Sequence, residues 1–165
     1  KQIRNILLNP DHKELHPESE LLLYLSDRIQ HLTETILPAK AEGKMVLCDR
    51  FHDSTVAYQG YGRGLNLKII ESIITYSIKP YTPDLTFLLT ISPTTVVDRL
   101  DQRKEQSAKD RLDIESSKFF ERTAKGYKEL ASAEPERFVC LDGEQEIEVI
   151  HQQIISELQD RFSIG

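Results

Sequence analysis

Asp49-Arg50 stands directly after the short apolar run Lys44-Met45-Val46-Leu47-Cys48 and opens the stretch CDRFHDSTVAYQGYGRG, residues 48–64. A guanidinium at a strand end can fork two N–H groups onto a phosphate, and the neighbouring carboxylate can hold a hydrated Mg2+ or orient the arginine. Taken alone, the pair reads equally as a structural ion pair. Ser54, Thr55, Tyr58 and Gln59 follow at a spacing that places 54/55 and 58/59 on one face of a short helix. Hydroxyls, an amide that both donates and accepts, and an aromatic wall suit a base with its sugar, although a plain polar helix face gives the same pattern. Tyr24 and Arg28, four residues apart, supply a ring for stacking and a guanidinium one turn later, or an ordinary rim pair. Arg99, Arg103, Lys104, Lys109 and Arg111 surround a charged segment, which is either a solvated run or a basic element that closes over a transferring phosphoryl group.

Other chemistries fit less well. His52, Asp53 and Ser54 have the residue types of a hydrolytic triad, but adjacent residues cannot converge on one reacting centre. The glycines of Gly60-Tyr-Gly-Arg-Gly64 match neither GxGxxG nor GxxxxGK[ST] and read as turn punctuation. Cys48 and Cys140 lack metal spacing and read as small buried hydrophobes in a reducing compartment.

The elements that would position these groups alternate. Ile3, Ile6 and Leu7 mark an amphipathic first helix. Pro17, Glu18 and Glu20 mark the start of a long helix on which Leu22, Leu25, Ile29, Leu32 and Ile36 make one buried stripe, kinked at Pro38 and ended by Gly43. Lys44–Cys48 reads as a buried strand. Residues 66–79 form a second amphipathic helix, and the nearly continuous apolar run 84–91 reads as a strand covered on both faces. Ser92-Pro93 caps a further helix. Residues 101–118 read as a loop or exposed hairpin, followed by a helix over about 119–132, a strand over 137–141 and a last helix over 144–162. This order predicts one α/β domain over residues 1–165, a three-layer parallel sheet with helices on both faces and right-handed crossovers. Ligands then sit beyond the carboxyl ends of the strands, where Asp49-Arg50 and Asp142-Gly143 fall.

A formal charge of -6 and a pI near 5.4 argue against long nucleic acid as a partner. No apolar run approaches the roughly 18 residues of a membrane span, and the expected location is the cytoplasm.

With these residues in view, the chain resembles bacterial thymidylate kinase, a nucleoside monophosphate kinase-like member of the P-loop kinase fold. The resemblance rests on Asp49-Arg50-Phe51 with DSTVAYQGYGRG, on LLLYLSDRIQH upstream, and on PDLTFLL and DRLDIESSKFFERTAKGY downstream, in the family's order over nearly the whole chain. It implies transfer of a phosphoryl group from ATP, with Mg2+, to dTMP. Tyr24 would stack on thymine, Arg28 would bond its carbonyl, Thr55 and Gln59 with Ser54 would read the pyrimidine edge, and Tyr58 would pack near the deoxyribose. Arg50 would clamp the dTMP phosphate with Asp49 near the Mg2+ shell, and Arg4 would line the acceptor pocket. Arg103 and Arg111 would serve a basic lid at about 101–118, and Asp142-Gly143 would skirt the donor adenine. The resemblance also implies a homodimer. The family's GxxxxGK[ST] phosphate loop and its flanking strands are absent from these 165 residues, so the expectation is a portion of a longer kinase. The alternatives are a kinase of the same fold with another acceptor, or a non-catalytic nucleotide-binding protein.

Overall fold

The computed structural model describes residues 2–92, 95, 96, 99, 111, 112 and 115–163. In chain order the elements are α1 (Gln2–Leu8), α2 (Pro17–His31), α3 (Leu37–Ala41), α4 (His52–Thr55), α5 (Leu67–Ser77), β1 (Thr86–Thr90), α6 (Ser117–Ala133), β2 (Phe138–Asp142) and α7 (Ile147–Phe162). They fall into two compact units, Lys1–Thr82 with Ser107–Leu130 and Pro83–Gln106 with Ala131–Gly165.

The first unit is helical. Pro17 occupies the first turn of α2, where its missing N–H is no loss, and the His16 ring accepts from Glu18 N at 3.4 Å. Between α2 and α3 the chain widens into a π-type turn over Leu32–Ile36, in which Leu37 N donates to Leu32 O. The kink expected at Pro38 takes this form: a proline inside a helix removes a donor and crowds the preceding turn, and wider winding relieves the crowding. Gly43, at φ 75°, ends α3, with Gly43 N donating to Lys40 O at 2.9 Å and Lys44 N to Ala39 O at 3.0 Å. That pair of bonds needs a left-handed residue at this position, which glycine adopts without strain. The core joins Leu21, Leu25, Leu32 and Ile36 to Phe51, Val56, Ile70, Ile74 and Ile78. Asn66 caps α5 by accepting from Lys68 N at 3.0 Å.

Lys44–Cys48 departs from expectation. The segment pairs with no strand among the described residues, and Val46 alone packs toward the core while Met45 and Leu47 are 53% and 83% exposed. A strand is defined by its ladder, and a short apolar run does not disclose whether a partner lies beside it. Cys48 and Cys140, expected to be buried, are free thiols exposed on the surface.

The second unit carries the sheet. Strands β1 and β2 pair in parallel, with Thr86 opposite Phe138 and Thr90 opposite Asp142. The fold is therefore mixed α/β with a small parallel sheet; two strands are described, and β1 is half-buried rather than covered on both faces. Gly143 follows β2 where the Cβ of any other residue would lie 2.9 Å from Ile91 Cγ2 and 3.2 Å from Thr90 O. Ser92 Oγ accepts from Thr95 N at 3.2 Å, which is the cap expected there. Glu144 accepts from Ser92 N at 2.8 Å and from Thr95 Oγ1 at 2.6 Å, tying the segment after β1 to the turn after β2. These bonds hold the Glu144 carboxyl at a pKa of about 2, below its ordinary 4.5.

Candidate active site

The candidate site lies in the helical unit and is built around Arg50. This residue has φ 64°, a left-handed conformation that a residue with a Cβ adopts rarely, and such strain clusters at functional sites. Its carbonyl oxygen lies 3.4 Å from Arg28 Nη1 and 3.4 Å from Cys48 Sγ, while its guanidinium lies over the Tyr58 ring at 5.1 Å. The backbone twist thus anchors the carbonyl and leaves the charged fork on an aromatic face, exposed to solvent.

Arg28 ties Thr55 to this turn. From the fourth turn of α2 its Nη2 approaches Thr55 Oγ1 at 3.4 Å, and its guanidinium sits 5.3 Å from the Phe51 ring centroid. Burial lowers its pKa, opposed chiefly by Cys48, yet an arginine remains charged at neutral pH. Arg28 Nε is buried and has no hydrogen-bond partner among the described residues. A buried donor left unmatched is a strong reason to look for a ligand acceptor. Tyr24, one turn earlier, is half-buried on the same helix.

Ser54 and Tyr58 lead to a residue that sequence reasoning missed. Ser54 Oγ lies 2.7 Å from Tyr127 Oη on α6, and Tyr127 meets Tyr58 edge to face at 6.4 Å. Burial raises the Tyr127 pKa, with Ser54 opposing, so its phenol is a neutral donor and acceptor. Tyr127 stood inside the resembling stretch ERTAKGY, but nothing in a single sequence separates it from a packing tyrosine.

From Val56 to Gly62 the chain again winds as a π-type helix, a form frequent at functional sites. Tyr58 lies beneath Arg50, and Gln59 is buried against Glu20, whose Oε1 accepts from Gln59 Nε2 at 2.8 Å. Glu20, with none of its surface exposed, also accepts from Arg63 Nε at 3.2 Å and Arg63 Nη2 at 3.1 Å, and it pairs with Arg111. Arg63 pairs in turn with Glu115, and Arg111 Nε donates to Leu7 O at 3.2 Å. Glu20 had the appearance of a helix-start acid and Arg63 of a turn residue; their roles come from residues brought together across the chain. A cleft of about 280 Å³ beside them is lined by Lys13, Leu15, Pro17, Arg63, Arg111 and Glu115.

The other expected site residues are placed as follows. Arg111 is 5% exposed and held by Glu20 and Leu7. Arg4 is exposed on α1, and Asp49 is exposed beside Arg50. Asp142 and Gly143 form the turn after β2 in the other unit. Arg103 lies outside the described residues, as does most of segment 101–118. No group of three or more potential metal ligands occurs among the described residues.

The site gathers a phosphate-sized fork at Arg50, a half-buried guanidinium with an unmatched donor at Arg28, and hydroxyl, amide and aromatic groups from one short segment. It has the features of an α/β protein that binds a nucleotide by its base and phosphate. Comparison with known proteins narrows the class. The thymidylate kinase family profile matches residues 1–154. The chain is 41% identical over 157 residues to the thymidylate kinase of Kosmotoga olearia, covering 95% of this chain and 74% of that protein. It is 38% identical over 160 residues to that of Bacillus licheniformis, covering 97% and 75%. Among solved structures, thymidylate kinase from Ehrlichia chaffeensis superposes with a TM-score of 0.73 at 29% identity, over 96% of this chain and 72% of that one. The chain belongs to the thymidylate kinase family.

Proposed function

We infer that the protein phosphorylates dTMP to dTDP with ATP as donor. A phosphate oxygen of dTMP forms a bond to the γ-phosphorus of ATP as the bond from that phosphorus to the β,γ-bridging oxygen breaks, leaving ADP. The carrying observation is the link of Arg28 to both Thr55 Oγ1 and the Arg50 carbonyl, with Arg28 Nε left for an outside acceptor. In this reading Arg50 clamps the acceptor phosphate, Arg28 bonds a thymine carbonyl, Tyr24 stacks on the ring, and Ser54, Thr55 and Gln59 read its edge. Tyr58 and Tyr127 wall the deoxyribose. Positioning and charge neutralisation are the main work in phosphoryl transfer, and a fork held on an aromatic face is suited to both.

Mg2+ is commonly bound through one or two carboxylates, waters and substrate phosphates, and the exposed Asp49 suits such a role through water. When bound, the ion neutralises phosphate charge. Arg103 is proposed to serve the transferring group, Arg4 the acceptor pocket, and Asp142 with Gly143 the donor base, whereas Arg111 is taken up by Glu20 and the Leu7 carbonyl. These residues fit a three-layer kinase domain, with the cytoplasm as its location. No helix among the described residues is long and apolar enough to cross a membrane. A homodimer is supported by α2, where Leu22 and Ile29, expected in the buried stripe, are instead 58% and 37% exposed, two turns apart on one face. The test is ADP production with dTMP, thymidine and dUMP as acceptors. The reading expects the highest kcat/KM with dTMP, and a clear preference for thymidine would replace it with a nucleoside kinase.

A further inference from the structure

We propose that Glu20 is a positioning residue which sets the hydrogen-bond polarity of Gln59, and through it the preference for a pyrimidine carrying N3–H over one whose N3 is an acceptor. The inference rests on the reading of Gln59 as a group that faces the acceptor base.

A glutamine amide presents a donor and an acceptor of nearly the same size, so a lone Gln59 could offer either to a ligand by turning about its last bond. Glu20 removes that freedom. Its carboxylate is fully buried and held between the cations Arg63 and Arg111, which favour the ionised, acceptor-only form. Oε1 of that carboxylate lies 2.8 Å from the Gln59 amide. Only the NH2 end of Gln59 can meet it, since a carbonyl oxygen turned there would set two acceptors against each other inside the protein. The carbonyl oxygen of Gln59 is therefore turned away from Glu20. An oxygen matches the N3–H of thymine or uracil and opposes the N3 lone pair of cytosine.

The cations are themselves fixed. Arg63 lies 5.0 Å from the Phe119 ring centroid and pairs with Glu115, and Arg111 donates to Leu7 O. Charge, burial and packing thus converge on one orientation of one amide. Glu20 itself touches no part of the ligand in this scheme.

The test is calorimetric binding of dTMP and dCMP to the wild-type protein and to Glu20→Gln, with thermal unfolding of each. In Glu20→Gln the partner side chain can donate or accept, so Gln59 can turn, and the dTMP:dCMP affinity ratio should shrink by roughly tenfold or more. The exchange Glu20→Gln with Gln59→Glu keeps one carboxylate beside both arginines and keeps an acceptor toward the base, so the ratio should return toward wild type. A folded Glu20→Gln protein with an unchanged ratio overturns the proposal, as does a folded exchange variant that prefers dCMP. Proton–nitrogen NMR of the wild-type protein needs no variant. One Gln59 amide proton should stand downfield, bonded to carboxylate, with and without dTMP, and loss of that shift on binding overturns the proposal. If the wild-type protein shows no preference for dTMP over dCMP, the acceptor reading itself has failed, which separates the two results.

Discussion

The helical unit and the sheet unit bury polar groups in different measure. Among the described residues, Glu20, His52, Asp53, Thr55, Gln59, Arg111 and Thr123 are buried in the helical unit, while Arg137 is the buried polar residue of the sheet unit. Burying polar groups is unfavourable unless each is matched, so the helical unit depends on the partners that Glu20, Gln59 and Arg111 find in one another. In the sheet unit Glu144 clasps Ser92 and Thr95 at the exposed rim, and α7 has no fully buried residue. One region keeps its polar groups in the interior, beside the proposed acceptor site; the other holds a turn in place from the surface.

The contrast can be broken most sharply at Arg50. Arg50→Ala should lower kcat/KM for dTMP by roughly 100-fold, about 3 kcal/mol of transition-state stabilisation, because a charge-assisted fork is lost. A value within threefold of wild type would remove Arg50 from the acceptor site. Gly62→Ala tests packing in the same unit, since the new Cβ would meet Phe119 Cε2 at 2.7 Å and Thr123 Oγ1 at 2.8 Å. Urea unfolding should show a loss of about 1–3 kcal/mol, and an unchanged midpoint would mean that α6 yields at this contact. Tyr24→Ala should weaken dTMP binding by about 1–2 kcal/mol with little change in kcat, read by equilibrium titration; unaltered affinity would discard the stacking role.

The smallest effect belongs to the sheet unit and fades in acid. The folded pKa of Glu144, about 2, lies below its ordinary 4.5, so its contribution is complete above about pH 5 and is lost as pH falls toward 2. Glu144→Gln should therefore unfold at a slightly lower temperature than wild type near pH 7, with the gap closing in acid and KM for dTMP unmoved. A gap that widens as pH falls would reverse the sign and refute the clasp.

Much of the scaffold was legible because its signals are local. Asn66 and Gly43 mark ends that depend on their own dihedrals and nearest backbone bonds, and both do so in the structure. The helix expected over about 119–132 and the strands expected over 84–91 and 137–141 occur at Ser117–Ala133, Thr86–Thr90 and Phe138–Asp142. Lys44–Cys48 was misjudged because strand character belongs to a pair, not to a segment. The same distinction runs through the site. Tyr24, Arg28, Arg50, Thr55 and Gln59 stood out as candidates by type and spacing, each matched by a plain structural reading until the resemblance was weighed, whereas Glu20, Arg63 and Tyr127 acquire meaning from partners 39, 43 and 73 positions away. No spacing rule reaches that far in one sequence.

The left-handed turn at Arg50 sets what selection in the laboratory would find. Glycine is the residue that holds φ 64° without strain, and relief at such a position contributes on the order of 1 kcal/mol. A library sorted for heat resistance alone would enrich Arg50→Gly and fill with sturdy proteins that lack the phosphate clamp proposed above. Any stabilisation campaign on this chain has to fix position 50 before it begins.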